Sequence, residues 1–273
     1  MPLLRIYLFG VPRFEWDAKP VHIPRRKAVA LLAYLAATGQ THSRDALATM
    51  FWSEYDQSKA RANLRRELSR IKAVLGEETL EIQREKVGLR EPDRWWLDVK
   101  AFQADLNAAQ ELLLKQSDTI GEQDISNLIS EIRDAVAQYS GEFMAGFSLP
   151  DSTQFDEWQF FQRDTLNRSL SDALQRLIYW ETARGEYEEA IQYARRLLTI
   201  DNLYESTHRQ LMQLYAWSGQ QGSAIRQYEQ IVHLLEKEIG VKPEEETLAL
   251  YEAIKSRQLA PLIMKHCCWL HPG

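Results

Sequence analysis

Six cations and one acid share fifteen residues, SKARANLRRELSRIK, at positions 58–72. Lys59, Arg61, Arg65, Arg66, Arg70 and Lys72, with Asn63 among them, are residue types that neutralise phosphates and reach into nucleic-acid grooves. The chemistry they suggest is capture of a polyanion, and no HExxH, GxxxxGK[ST], GxSxG or dinucleotide fingerprint points to catalysis instead. The chain as a whole runs the other way, with 33 Lys and Arg against 39 Asp and Glu. Residues 1–100 hold 18 cations and 13 acids, a net of +5, and the remainder 15 and 26, a net of −11. A basic module joined to an acidic one with a different task fits that asymmetry.

The cations need an element to display them. Leu64, Leu68, Ile71 and Leu75 recur at steps of 4, 3 and 4, which predicts a helix with that stripe against a core. At about 100° per residue, Lys59, Ala62, Arg66, Ser69 and Arg70 then point outward. Arg65 and Asn63 take the flanks, and Arg61 and Lys72 lie nearer the core boundary. Small residues on the outer face would let a helix approach base edges closely. Asp56 or Ser58 is the expected N-cap and Gly76 the stop.

Around this helix the first hundred residues alternate strands and helices. LLRIYLFG and RFEWDAKPVHIP read as short antiparallel strands. RRKAVALLAYLAATG follows Pro24, with Ala28, Leu31, Leu32 and Leu35 at helical spacing and Gly39 as C-cap. Ser43 should cap a second helix, RDALATMFW. LEIQ and VGLR form a strand pair whose tip carries Arg84, Glu85 and Lys86. A charged outer face alone also suits a helix that is merely solvated. The order of strands, two helices, basic helix and basic hairpin, within one domain's length, favours a winged helix-turn-helix instead. Arg84 and Lys86 on the wing, and Arg25, Arg26 and Lys27 at the start of the first helix, are then further candidates for phosphate contact.

Residues 101–260 read as helical almost throughout. Helices are expected over 100–115, 122–139 and 155–183, with a polar break at 116–121 and a Gly/Pro-punctuated loop, GEFMAGFSLPDS. Leu177/Leu211, Gly185/Gly219, Ala190/Ala224 and Ile191/Ile225 are identical pairs 34 residues apart. That is the helix–turn–helix period of tetratricopeptide (TPR) repeats. Trp158, Phe160, Phe161, Trp180 and Trp217 are expected in the interhelical core. The fold class is therefore mainly α in two domains: an α+β winged helix-turn-helix at 1–100, an all-α TPR-like domain at 101–260, and a tail at 261–273.

The segment PRRKAVALLAYLAATGQTHSRDALATMFWSEYDQSKARANLRRELSRIKAVLG resembles the DNA-binding domain of Streptomyces antibiotic regulatory proteins (SARPs), bacterial activators with an OmpR-type winged helix. WWLDVKAF is similar to that family's exit from the wing. AIRQYEQIVHLLEKEIGVKPEEETLALYEAI resembles the end of its bacterial transcriptional activation domain (BTAD). The resemblance implies a cytoplasmic, nucleoid-associated activator whose recognition helix, Ser58 to Leu75, reads promoter repeats in double-stranded DNA. It also implies contact with RNA polymerase through a sigma factor, and a homodimer or protein-binding role for the repeats. Two other readings stand beside it: a TPR-type interaction adaptor, or the front of a larger regulator with an ATPase or sensor.

No cofactor is implied. The two cysteines, Cys267 and Cys268, are adjacent, which suits neither a disulfide framework nor zinc, and His266 and His271 do not repair the spacing. No apolar run is long enough to span a bilayer.

Overall fold

The structure is a computed structural model that describes residues 4–90, 94–115 and 122–259. The polar break at 116–121 and the tail with its cysteines lie outside the described residues. The chain gathers into two compact units, one made of Met1–Ala108 with Asp134–Asn167, the other of Ala109–Arg133 with the residues from Arg168 on.

The first unit begins with β1 (Leu4–Tyr7), β2 (Arg13–Trp16) and β3 (Lys19–Val21), an antiparallel meander. Asp17 and Ala18, both at positive φ, make the two-residue turn between β2 and β3, the geometry that matches strand twist. Then come α1 (Arg26–Thr38), β4 (His42–Ser43), α2 (Arg44–Phe51) and α3 (Gln57–Leu75). β5 (Leu80–Ile82) and β6 (Lys86–Leu89) form the wing, and β4 adds a third strand, with His42 opposite Val87. β7 (Trp95–Leu97) returns to lie parallel to β1, closing a sheet of order β3-β2-β1-β7.

Local chemistry sets these boundaries as expected. Gly39 takes a left-handed φ of 62° and donates its N–H to the Leu35 carbonyl, a conformation that costs a Cβ-bearing residue more. The Ser43 hydroxyl accepts from the Asp45 and Ala46 N–H groups, and Asp56 accepts from Lys59 N–H. Leu64, Leu68, Ile71 and Leu75 are all at most 1% exposed, so the predicted stripe faces the core shared with α1 and α2.

The segment read from sequence as a punctuated loop does more than connect. Gly10 N–H donates to Glu142 O at 2.9 Å, Met144 N–H to Leu8 O at 2.7 Å and Ala145 N–H to Gly10 O at 2.8 Å. Residues 142–145 thus extend the hydrogen bonding past the end of β1. Gly141 allows this approach, since a Cβ there would sit 3.2 Å from the Gly10 Cα. The first turns of α6 (Thr153–Ala183) follow, burying Phe155 against Phe51 at 5.4 Å and setting Trp158 edge-on to Tyr34 at 4.9 Å.

α4 (Asp98–Lys115) and α5 (Glu122–Gln138) complete the run up to that segment. In the second unit, the later turns of α6 are followed by α7 (Tyr187–Ile200), which packs against α8 (Glu205–Trp217); α8 packs in turn against α9 (Gln221–Glu238), and α10 (Glu245–Lys255) lies on both α8 and α9. The 34-residue period extends to individual bonds. Gly185 and Gly219 have φ of 79° and 80°. Their N–H groups donate at 3.1 Å to Thr182 and Ala216, and the next residues' to Glu181 and Tyr215 at 2.8 and 2.7 Å. Ala190 and Ala224 are both fully buried.

One expectation needs correcting. Trp180 is buried and Trp158 and Trp217 half-buried, but Phe160 and Phe161 are 62% and 64% exposed. Phe155, Gln159 and Leu166 occupy the inward face of α6, and the helical period puts 160 and 161 on the other side.

Candidate nucleic-acid interface

Within the first unit, α3 turns its cationic face to solvent. Arg65, Arg66, Lys59 and Ser69 are exposed, and Ala62, Asn63 and Arg70 half-exposed. Lys59 sits 3.0 Å from the Asp56 carboxylate, and Lys72 reaches Glu77 at 2.7 Å. Arg66 donates to the Asn63 side-chain oxygen, and Arg70 pairs with Glu67 one turn back. Glu67 is a charged residue on the core side of the helix, only 9% exposed. Arg65, Lys86 and Arg25 are exposed, and among the described residues their side chains have no hydrogen-bond or ion-pair partner. Arg84, at the wing tip, has a 96% exposed side chain 3.7 Å from Glu85.

Arg61 behaves differently. Its Nε and Nη2 both donate to the carboxylate of Asp45 in the first turn of α2, and Nη2 lies 3.4 Å from Glu85 Oε2 on the wing. The guanidinium, followed by the Gln57 amide, holds the Asp45 carboxyl below the usual carboxylate range. Asp56 is held below that range by the Lys59 N–H first, and then by the Lys59 ammonium.

At the start of α1 the three basic residues part ways. Among the described residues the Arg25 side chain has no partner, whereas Arg26 donates to Ser148 O at 2.8 Å and lies 4.8 Å above the Phe147 ring. Lys27 is drawn inward, its side chain 16% exposed, with its ammonium 2.7 Å from Phe51 O and 2.8 Å from Asp151. The structure therefore gathers Lys59, Asn63, Arg65, Arg66 and Arg70 on one helix face, with Arg84 and Lys86 on the wing. It sends Arg26 and Lys27 toward residues 147–151.

Sequence reasoning passed over Arg44. It follows the cap Ser43, its N–H donates to Glu85 O at 2.9 Å, and its guanidinium reaches toward Gln83 O at 3.5 Å. Its place as first residue of a capped helix was a legible signal. Among the described residues, no group of three or more His, Cys, Asp and Glu could hold a metal, and no helix is long and apolar enough to cross a membrane.

A winged helix with an exposed cationic third helix, joined to helical hairpins of 34-residue period, is the architecture of a transcriptional regulator. Residues 97–255 match the bacterial transcriptional activator domain, and the chain belongs to that family. Among curated proteins it is 26% identical over 236 residues to regulatory protein AfsR of Streptomyces griseus, covering 85% of this chain and 22% of that one. It is 27% identical over 220 residues to AfsR of Streptomyces coelicolor, covering 81% and 21%. The chain thus spans about a fifth of the length of these relatives. Mycobacterium tuberculosis EmbR, solved in complex with a low-affinity phosphopeptide, shares the fold at a TM-score of 0.69 and 21% identity, over 95% of this chain and 67% of that one.

Proposed function

We propose that this regulator is a sequence-specific DNA-binding activator that grips promoter repeats through its winged helix and recruits RNA polymerase. The helical repeats serve as its dimerisation or protein-contact surface. The observation that carries this reading is the outer face of α3, where Arg65 and Arg66 stand exposed beside Ala62 and Ser69. A helix lined that way can lie in the major groove while the wing, with Arg84 and Lys86, touches the backbone. Lys59, Arg66 and Arg70 face the duplex with Arg65 and Asn63 on the flanks of that face, Lys72 lies nearer the core boundary, and Arg25 meets a phosphate. The acidic repeats do not compete for the same polyanion.

The test uses the full chain. Duplexes selected from a random library by the protein are titrated at 50 and 200 mM salt. Each neutralised phosphate contributes a slope of about −0.9 in log affinity against log salt, so five contacts weaken binding about 500-fold over that range. Arg66→Ala should cost about 1–3 kcal/mol, and base preference should relax if it reads a base. A flat salt response removes the proposal.

A further inference from the structure

Three elements that must meet one duplex are tied together by a single ionic cluster. Asp45 stands in the first turn of α2, Arg61 in the second turn of α3, and Glu85 at the tip between β5 and β6. Gln57 adds its side-chain amide to Asp45 Oδ1 at 2.5 Å. The Arg44 N–H to Glu85 carbonyl bond fixes the wing tip to α2 from the backbone side. The Arg61 guanidinium is spent on two carboxylates, which alters what it can do. To reach a phosphate it would have to leave Asp45 and Glu85 as uncompensated anions beside a polyanion.

We propose that Arg61 and Asp45 are positioning residues that lock the wing tip to the reading helix, so that both address the same stretch of DNA. This rests on the DNA-binding reading above. The side chains of Arg61, Asp45 and Glu85 are 38%, 49% and 62% exposed. A pair so exposed contributes little to global stability, so its loss should leave the protein folded. What it supplies is geometry: two parallel donors on one carboxylate restrict angle as well as distance, and a lysine cannot reproduce that fork.

The experiment compares Arg61→Lys, Asp45→Asn and the double variant in the full chain. Each is titrated against the selected duplex and against a random-sequence duplex of equal length. Hydrogen exchange of residues 83–86 is followed without DNA. Positioning requires that either single variant weaken the selected duplex roughly tenfold. The double variant should lose no more than one single variant, the random duplex should be nearly unaffected, and the salt slope should stay as in the parent. Exchange at the wing tip should rise in all three variants. The proposal is overturned if Arg61→Lys binds like the parent, or if Asp45→Asn binds as well or better. Unchanged exchange at residues 83–86 would also overturn it. If the parent itself shows no salt-dependent binding, the DNA-binding reading fails first and this inference falls with it.

Discussion

Replacing Asp98 by alanine should destabilise the protein more than almost any other single polar change. The residue begins α4, immediately after β7, and is only 3% exposed. Its carboxylate accepts the N–H groups of Leu8 and Phe9 at 2.9 Å and of Val99 at 2.8 Å. It thus fastens the end of β1 to the first turn of the helix. Alanine leaves three donors facing a site whose neighbours Leu8, Phe9 and Val99 are at most 2% exposed. A buried unsatisfied donor costs about 1–3 kcal/mol. The low end applies, because burying the carboxylate is itself costly: burial pushes the Asp98 carboxyl above its ordinary range against the pull of those same N–H groups. Three donors then give about 3 kcal/mol, a large part of a typical 5–15 kcal/mol stability. Urea unfolding of the full chain at neutral pH measures it, and a loss below about 1 kcal/mol would refute the assignment. The sign with pH follows from the raised value. The folded state keeps this proton to a higher pH than the unfolded one, so the contribution from its ionisation is greatest in acid. It declines as pH rises through the raised value. Asp98→Asn should abolish that decline.

Other perturbations separate the remaining parts. His208 is 1% exposed, with Nε2 2.9 Å from Asn202 O and Nδ1 2.6 Å from the Gln227 amide. Burial holds its imidazole below the ordinary value. The unfolded chain therefore takes up a proton near pH 6.5 that the folded one refuses. Stability from this site is full above that pH and lost as pH falls through and below it; His208→Gln should flatten the difference in urea midpoint between pH 7.5 and 5.5. A fragment ending at residue 100 removes Phe143 and Phe155, each fully buried in the first unit, at about 2 kcal/mol per ring. It should melt well below a fragment ending at 167, and equal melting temperatures would show that residues 140–158 are not part of that core.

Much of the fold was legible because the signals were local. The stripe Leu64, Leu68, Ile71 and Leu75 predicts both the extent and the orientation of α3, and Ser43, Asp56 and Gly39 cap as their chemistry requires. The 34-residue period survives down to equivalent turn bonds. Phe160 and Phe161 misled because apolar character was taken as burial, while the angular position of each residue on α6 decides it. The candidate site was legible in composition only: six cations were visible within fifteen residues, but not what each of them holds.

The sequence by itself therefore determined the helices, their caps, the repeat and the cationic face, since each depends on residues within a few turns or one repeat of each other. Only the tertiary structure decided which cations are free and which are tied. Arg61 meets Asp45 and Glu85, 16 and 24 positions away, and Lys27 meets Asp151, while among the described residues Arg65 meets neither acid nor carbonyl. It also decided that residues 142–145 continue the hydrogen bonding of β1. A side chain's period records which way it points along its own element; what it touches is set by where distant elements are brought when apolar surface is buried.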